Sequence, residues 1–245
     1  QAATAAPADP VTAQVALGDA YLAAGDNAAA LAAFQAAVKQ APTNVSALHG
    51  LGNAYFAAGQ IEEAIAAYLA WAQAAPDDPD PRLLLGILYS QQHKFQEAQD
   101  RLQEASRLTP CQEAAHLLMG QIYFQQQDMA QAASAYQAAL AINPRRAAAW
   151  YVVGVLRWQL GDLPAAETAL QQATSRGPAL GAAFFALGRV HFDQGAFAEA
   201  AASYRQALAL GPDDLSNYLA LAHAYERLRQ WDDAAATYQA ALARQ

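Results

Sequence analysis

Apolar residues recur at helical spacing in stretches of about 14 residues, and the stretches come in pairs parted by short polar breaks. One stretch, AAAWYVVGVLRW at 147–158, departs from the single apolar stripe of a helix that covers one core. Apolar and aromatic residues run almost all the way round it, and only Arg157 is charged. The pairs keep a fixed period. Prolines fall at 42, 76, 110, 144, 178 and 212, each step being 34 residues with no insertion. With Pro42 as position 32 of a unit, seven units run over 11–44, 45–78, 79–112, 113–146, 147–180, 181–214 and 215–245.

The columns of this frame agree. Position 20 is alanine in all seven units: Ala30, Ala64, Ala98, Ala132, Ala166, Ala200 and Ala234. Position 8 is glycine in six (Gly18, Gly52, Gly86, Gly120, Gly154, Gly188) and Ala222 in the last. Position 24 is large and apolar throughout: Phe34, Tyr68, Leu102, Tyr136, Leu170, Tyr204 and Tyr238. Each unit thus reads as a helix A whose positions 4, 7, 8 and 11 share a face, and a helix B whose positions 20, 24 and 27 share one. Small residues at 8 and 20 allow close approach, and Gly25, Gly59, Gly161 and Gly195 at position 15 suit the tight turn between the helices. Proline at 32 stops helix B. One pair cannot bury both of its faces, so stacking of neighbours must do it.

The period of 34 with its L-G, Y, A, F/Y and P columns resembles the tetratricopeptide repeat family over residues 11–245. The resemblance implies an all-α, right-handed superhelical solenoid of helix-turn-helix repeats, with the A helices lining a concave channel. Residues 1–10, QAATAAPADP, are small and Ala/Pro-rich without periodicity, and read as a flexible tail.

On this frame the apolar belt of 147–158 has an explanation. Trp150, Val153 and Gly154 face helix B, Ala149 and Leu156 turn to the preceding repeat, and Tyr151, Val155 and Trp158 look into the channel. The channel columns are positions 5, 9, 12 and 13. They supply His49, Asn53 and Phe56 in the second repeat and Leu117, Gln121, Phe124 and Gln125 in the fourth. The fifth gives Tyr151, Val155 and Trp158, and the sixth Phe185, Arg189 and Phe192. These thirteen are the candidate peptide-binding residues. Aromatic rings with interspersed amides and an arginine suit a helix or extended peptide of a partner protein. Aromatics in these columns are also the family's ordinary packing against neighbouring A helices, so both readings stand. A carboxylate clamp of the chaperone-binding type is disfavoured. Asn53 matches one of its positions, but position 5 holds no Lys, and positions 2 and 6 hold no Lys or Arg.

Charge narrows the partner classes. The chain has 14 Lys+Arg against 22 Asp+Glu, a net charge of −8, and its longest basic run is Arg145-Arg146. It does not attract phosphate backbones, so nucleic acid is not an expected partner. No apolar stretch reaches the ~18 residues of a membrane span, so no direct insertion is expected. Cys111 is the sole cysteine, in an inter-repeat loop, which rules out an intrachain disulfide. The five histidines lie in different repeats, and no HExxH, phosphate loop or nucleophile elbow occurs. The expectation is a non-catalytic scaffold without cofactor or metal, assembling a larger complex. The alternatives are a recruiting module cut from a larger enzyme or from a secretion or polysaccharide-export machine, and a homo-oligomer formed through an uncapped edge at Ala241 and Leu242. Abundant Ala and Gln suit a bacterial protein, and the tail suits the periplasm or cell envelope as well as a linker.

Four local departures carry expectations of their own. Trp71 stands where six repeats have alanine and is expected on Pro81, shifting the angle between repeats 2 and 3. Arg157 and His191 replace tyrosine at position 11, so each needs a polar partner or a route to the surface. Pro164 falls at the start of its B helix, where proline is tolerated.

Overall fold

The computed structural model describes residues 9–110, 112–211 and 214–243. Cys111, Pro212 and most of the tail lie outside the described residues. Fourteen helices are found among those described: α1 (Pro10–Ala23), α2 (Asn27–Gln40), α3 (Val45–Ala57), α4 (Ile61–Ala74), α5 (Asp80–Gln91), α6 (Phe95–Leu108), α7 (Glu113–Gln125), α8 (Met129–Ile142), α9 (Ala147–Gln159), α10 (Leu163–Arg176), α11 (Gly181–Asp193), α12 (Phe197–Leu210), α13 (Leu215–Arg227) and α14 (Trp231–Leu242). Each odd-numbered helix pairs with the even-numbered helix that follows. The chain forms two compact units, Gln1–Leu118 and Met119–Gln245. In the first unit α2 packs on α3 and α4 on α5. In the second α8 packs on α9, α10 on α11 and α12 on α13, and the first helices of successive pairs also touch, α9 on α11 and α11 on α13.

What closes each pair is one steric relation. The six position-8 glycines each face the position-24 side chain of their own pair. A Cβ at Gly154 would stand 2.5 Å from Leu170, and one at Gly86 2.6 Å from Leu102. Phe34, Leu102 and Leu170 are 0% exposed and Tyr68 and Tyr204 are 2% exposed, so each fills the space that the missing side chain leaves. The position-20 alanines are all buried beside them. In the seventh pair Ala222 carries the Cβ, and Tyr238 is only half-buried.

The turn within each pair needs a left-handed residue at position 15. Gly25, Gly59, Gly161 and Gly195 have φ of 77°, 75°, 79° and 80°. Where glycine is missing the geometry is unchanged: His93, Gln127 and Arg229 adopt φ of 58°, 63° and 60°. Just after this turn, Asp26, Asp128 and Asp162 cap their B helices by accepting the backbone N–H of Ala29, Gln131 and Ala165. Asn44 and Asp214 do the same for α3 and α13.

The belt at 147–158 is buried on more than one side. Only Ala148 is exposed among these twelve residues. Leu156 packs with Ala132 and Ala133 of the preceding pair. Tyr151, Val155 and Trp158 lie partly buried against Ala186, Leu187 and Val190 of the following one.

The local departures resolve as follows. Trp71 is buried, with its ring 4.7 Å from His49 and 6.3 Å from Tyr68, and its indole N–H donates to Asp78 at 3.0 Å. It joins a cluster with Leu85 and Leu88 of α5. Pro81, its expected neighbour, is buried on the same α5; the partners of Trp71 come from its own repeat and from the next. Arg157 reaches the surface, as its stem allows, and donates to Gln137 Oε1 at 3.1 Å while standing 3.6 Å from Asp162. His191 is buried between Ser203 Oγ (3.4 Å) and Glu167 Oε1 (3.6 Å). Pro164 sits in the first turn of α10. At the last pair Ala241 is buried but lines a surface hollow with Leu242, Leu215 and Leu219, and the exposed large apolar residues there are Leu215, Leu219, Trp231 and Leu242.

Two stability outcomes follow. Gly154→Ala should lower the unfolding free energy by about 1–3 kcal/mol, because Leu170 must leave its site; an unchanged denaturation midpoint would remove the steric relation from the account. Gln127→Gly and Arg229→Gly should each raise it by about 0.5–1 kcal/mol by relieving left-handed backbone, read from guanidinium unfolding curves.

Candidate functional site

The second unit holds an open hollow between the first helices of its last two pairs. On α11 the spacing 185, 189, 192, 193 places Phe185, Arg189, Phe192 and Asp193 along one face. On α13 Ser216, Leu219, Ala220 and His223 oppose them, and Tyr204 of α12 forms the floor. The hollow offers about 390 Å³. Position-5 and position-9 side chains meet here because α11 and α13 lie side by side, while their position-8 residues turn inward to α12 and α14.

Tyr204 belongs to two environments. Its ring covers Gly188 and lies 5.6 Å from the ring of Phe185. Burial pushes its hydroxyl up to about 12; the Arg189 cation pulls it back down and Asp193 adds to the rise. Tyr68 occupies the equivalent place in the first unit, where burial alone pushes it to about 12.

Around the hollow the charges are held by rings. Trp158 of α9 donates its indole N–H to Asp193 Oδ2 at 2.6 Å. The Arg189 guanidinium stands 4.5 Å over the same indole ring. Phe192 meets Phe197 edge-on at 5.2 Å, and Arg227 lies 4.1 Å over Phe197 and 5.8 Å from Phe192. Glu226 accepts the Tyr238 hydroxyl at 3.2 Å. Such cation–ring contacts contribute about 0.5–2 kcal/mol and fix the guanidinium plane.

Of the thirteen residues expected to line a channel, the structure brings Trp158, Phe185, Arg189 and Phe192 together here. Tyr151 and Val155 sit beside Trp158, half-buried against α11. Gln121, Phe124 and Gln125 are exposed on α7 in the same unit, Phe124 by 46%. His49, Asn53, Phe56 and Leu117 belong to the first unit. There the Asn53 amide donates to His49 Nε2 (2.8 Å) and Tyr68 O–H donates to Asn53 Oδ1 (2.7 Å). That network fixes Asn53 within its own pair, and Phe56 remains exposed. Sequence reasoning left out Asp193, Leu219, His223 and Arg227, which stand in the channel columns of the last two repeats. It also left out Tyr204 and Phe197 on helix B; Tyr204 reads as core, and nothing marks Phe197. Among the described residues no group of three or more His, Cys, Asp or Glu is placed to hold a metal ion, and no helix is long and apolar enough to cross a membrane.

Comparison with known proteins agrees with this architecture. Residues 82–245 match the family described as the Cilia and flagella-associated protein 70 C-terminal domain, and residues 15–79 match a Tetratricopeptide repeat family. No curated protein matches the chain. Among solved structures, YrrB, described as a TPR protein with an unusual peptide-binding site, is 18% identical with a TM-score of 0.65, covering 79% of this chain and 97% of that one. PilF of Pseudomonas aeruginosa is 20% identical, TM-score 0.64, covering 85% and 95%. A tetratricopeptide repeat protein from Parabacteroides merdae is 17% identical, TM-score 0.63, covering 96% and 93%. At these identities the likeness establishes the fold.

The raised tyrosines give a pH dependence with a definite sign. The folded chain keeps protons on Tyr68 and Tyr204 that an unfolded chain releases near pH 10. Their stabilisation is therefore complete below about pH 10 and is lost as pH rises through about 12. Urea midpoints should fall over that window, and Tyr204→Phe should flatten the fall. A midpoint that holds steady to pH 11.5 would contradict the burial of these hydroxyls.

Proposed function

The chain belongs to the tetratricopeptide repeat family, and from that premise we propose that it is a scaffold that binds a peptide or helix of a partner protein in the groove between α11 and α13. The observation that carries this reading is the state of the rings there. Phe185 and Phe192 are half-buried: each packs against the α12–α13 cluster, and each also lines the hollow. Contiguous apolar surface kept open next to fixed cations is what a partner side chain needs as a hot spot. Leu219, 40% exposed on the opposite wall, extends that surface. Trp158, Tyr151 and Val155 continue it along α9, and the exposed Gln121 and Gln125 of α7 offer amide groups that would set register by hydrogen bonding. In the first unit His49, Asn53 and Phe56 are the corresponding candidates. No reaction centre is included in the reading: Ser216 and His223 line the hollow seven positions apart on α13, about two helical turns, and are not paired as nucleophile and base.

The test uses random twelve-residue peptides displayed on phage and panned on the intact chain. Recovered peptides should lose about thirtyfold or more in affinity to the Tyr151→Ala/Phe185→Ala variant, the cost of removing a hot spot. Because that variant also loosens packing, Leu219→Arg is the companion: it fills the hollow from an exposed position and should abolish binding with the thermal midpoint unchanged. Peptides that bind both variants at full strength would overturn the groove assignment.

A further inference from the structure

We infer that this chain associates with copies of itself head to tail, the exposed face of α1 in one copy seating on α13 and α14 of another. The inference concerns the first and last helix pairs and does not rest on the groove reading.

Stacking within the chain joins two unlike halves. The first helix of a pair supplies positions 3, 7 and 10, and the second helix of the preceding pair supplies positions 20, 24 and 27. Thus Ala47, Leu51 and Ala54 of α3 cluster with Ala30, Phe34 and Ala37 of α2. The same three positions are buried in α9 and in α11. In α1 they are Ala13, Leu17 and Ala20, and all three are exposed, Leu17 by 44%. Ala16 is exposed between them. At spacings of three, four and seven these four residues share one face of the helix, so α1 carries an apolar stripe with no mate among the described residues.

The other half of the same contact is open on the last pair. Leu215, Leu219, Tyr238, Ala241 and Leu242 line a hollow of about 240 Å³. Apart from Tyr238 these are positions 1, 5, 27 and 28 of the repeat. In the first pair those positions are Val11, Val15, Ala37 and Val38, and they close around Ala47, the position-3 residue of α3. The hollow on α13 and α14 is therefore the seat of a position-3 residue without its occupant. Burial tells the same story: Leu242 is 67% exposed, whereas Leu140 at the same position of α8 is 4% exposed.

The helix that completes this seat is specified by the repeat, and the chain itself carries one. Ala13 offers the position-3 alanine. Ala16 stands at position 6, where Ala220 of α13 packs in the cluster of Tyr204, so it would meet the half-buried Tyr238. Leu17 would cover Ala234 and Tyr238 as Leu51 covers Ala30 and Phe34. None of the facing residues is charged, so the contact buries apolar area without stranding an ion. Each copy has a net charge of −8, and the repulsion between copies acts at longer range. At physiological salt the Debye length is about 8 Å, which screens most of it. Because the two halves differ, each junction leaves one of each kind free, and further copies add in the same sense.

Sedimentation velocity of the intact chain from about 5 to about 500 μM tests this, since association through one weak junction depends on concentration. The average mass should climb from that of the monomer to multiples of it. Ala13→Arg removes one half of the junction and Leu242→Arg the other. Each variant alone should lose association by about tenfold or more, as a charge forced into an apolar contact requires. An equimolar mixture should form a dimer and stop there, because one intact half remains on each variant. Both positions are exposed, so thermal midpoints should match the parent. Leu242 is chosen over Leu219 because Leu219 also lines the α11–α13 hollow, and peptides held in that groove should bind Leu242→Arg as they bind the parent. A parent chain that stays monomeric throughout overturns the inference. So does either variant associating alone as the parent does, or a mixture that stays monomeric; each of these results leaves the groove reading standing.

Discussion

A missing side chain facing a large one is the contact on which the rest of the structure depends. In six of seven pairs a glycine on the first helix receives the ring or branched chain at position 24 of the second, and an alanine at position 20 completes the seat. Close-packed interiors tolerate little change of volume, so the size of these residues sets how near the two helices come. Inter-helix distance in turn sets where the outer positions of each first helix point. Once the inward face is spent on the partner helix, stacking takes a second face, and only a third strip is left for anything outside the chain.

The groove of the second unit grows from that strip. Phe185 and Leu219 stand at the same register position of successive repeats, as do Arg189 and His223, and they oppose each other because α11 and α13 lie against one another. Neither helix could make the hollow alone. The aromatic rings are held by packing on one side and left open on the other, which reconciles the two readings that the sequence allows. They are part of the stack, and they are also available surface. The cations are placed by the rings, so charge and apolar area at this site are coupled features of one arrangement.

Much of the fold could be read directly from periodicity, because each column states a local steric need that only a few residues meet. The paired helices, the six glycines at position 8 and the alanines at position 20 are of this kind. The turn was legible only in part. Gly25, Gly59, Gly161 and Gly195 announce a left-handed residue, whereas His93, Gln127 and Arg229 take the same conformation with nothing in their chemistry to show it, since the flanking helices impose it. Side-chain partners on different helices were less legible. That Trp71 would meet His49 and Asp78, or that His191 would lie between Ser203 and Glu167, depends on helix orientation rather than on spacing along the chain. At the groove, Phe185 and Arg189 stood out by residue type. Asp193 and His223 shared their columns but looked like ordinary surface, and Tyr204 looked like ordinary core.

That last ring has a double allegiance with a thermodynamic consequence. Tyr204 seals the sixth pair over Gly188 and is also the floor on which a guest would rest. Occupancy and local order are therefore linked quantities, and any molecule held there withdraws the folded state from its equilibrium with opened forms in proportion to its concentration over its dissociation constant. The reverse also holds: loosening this one pair taxes affinity without touching a single residue that the guest contacts. Specificity can drift on the exposed walls, at 189, 219 and 223, while Phe185 and the floor stay tied to the integrity of the repeat beneath them.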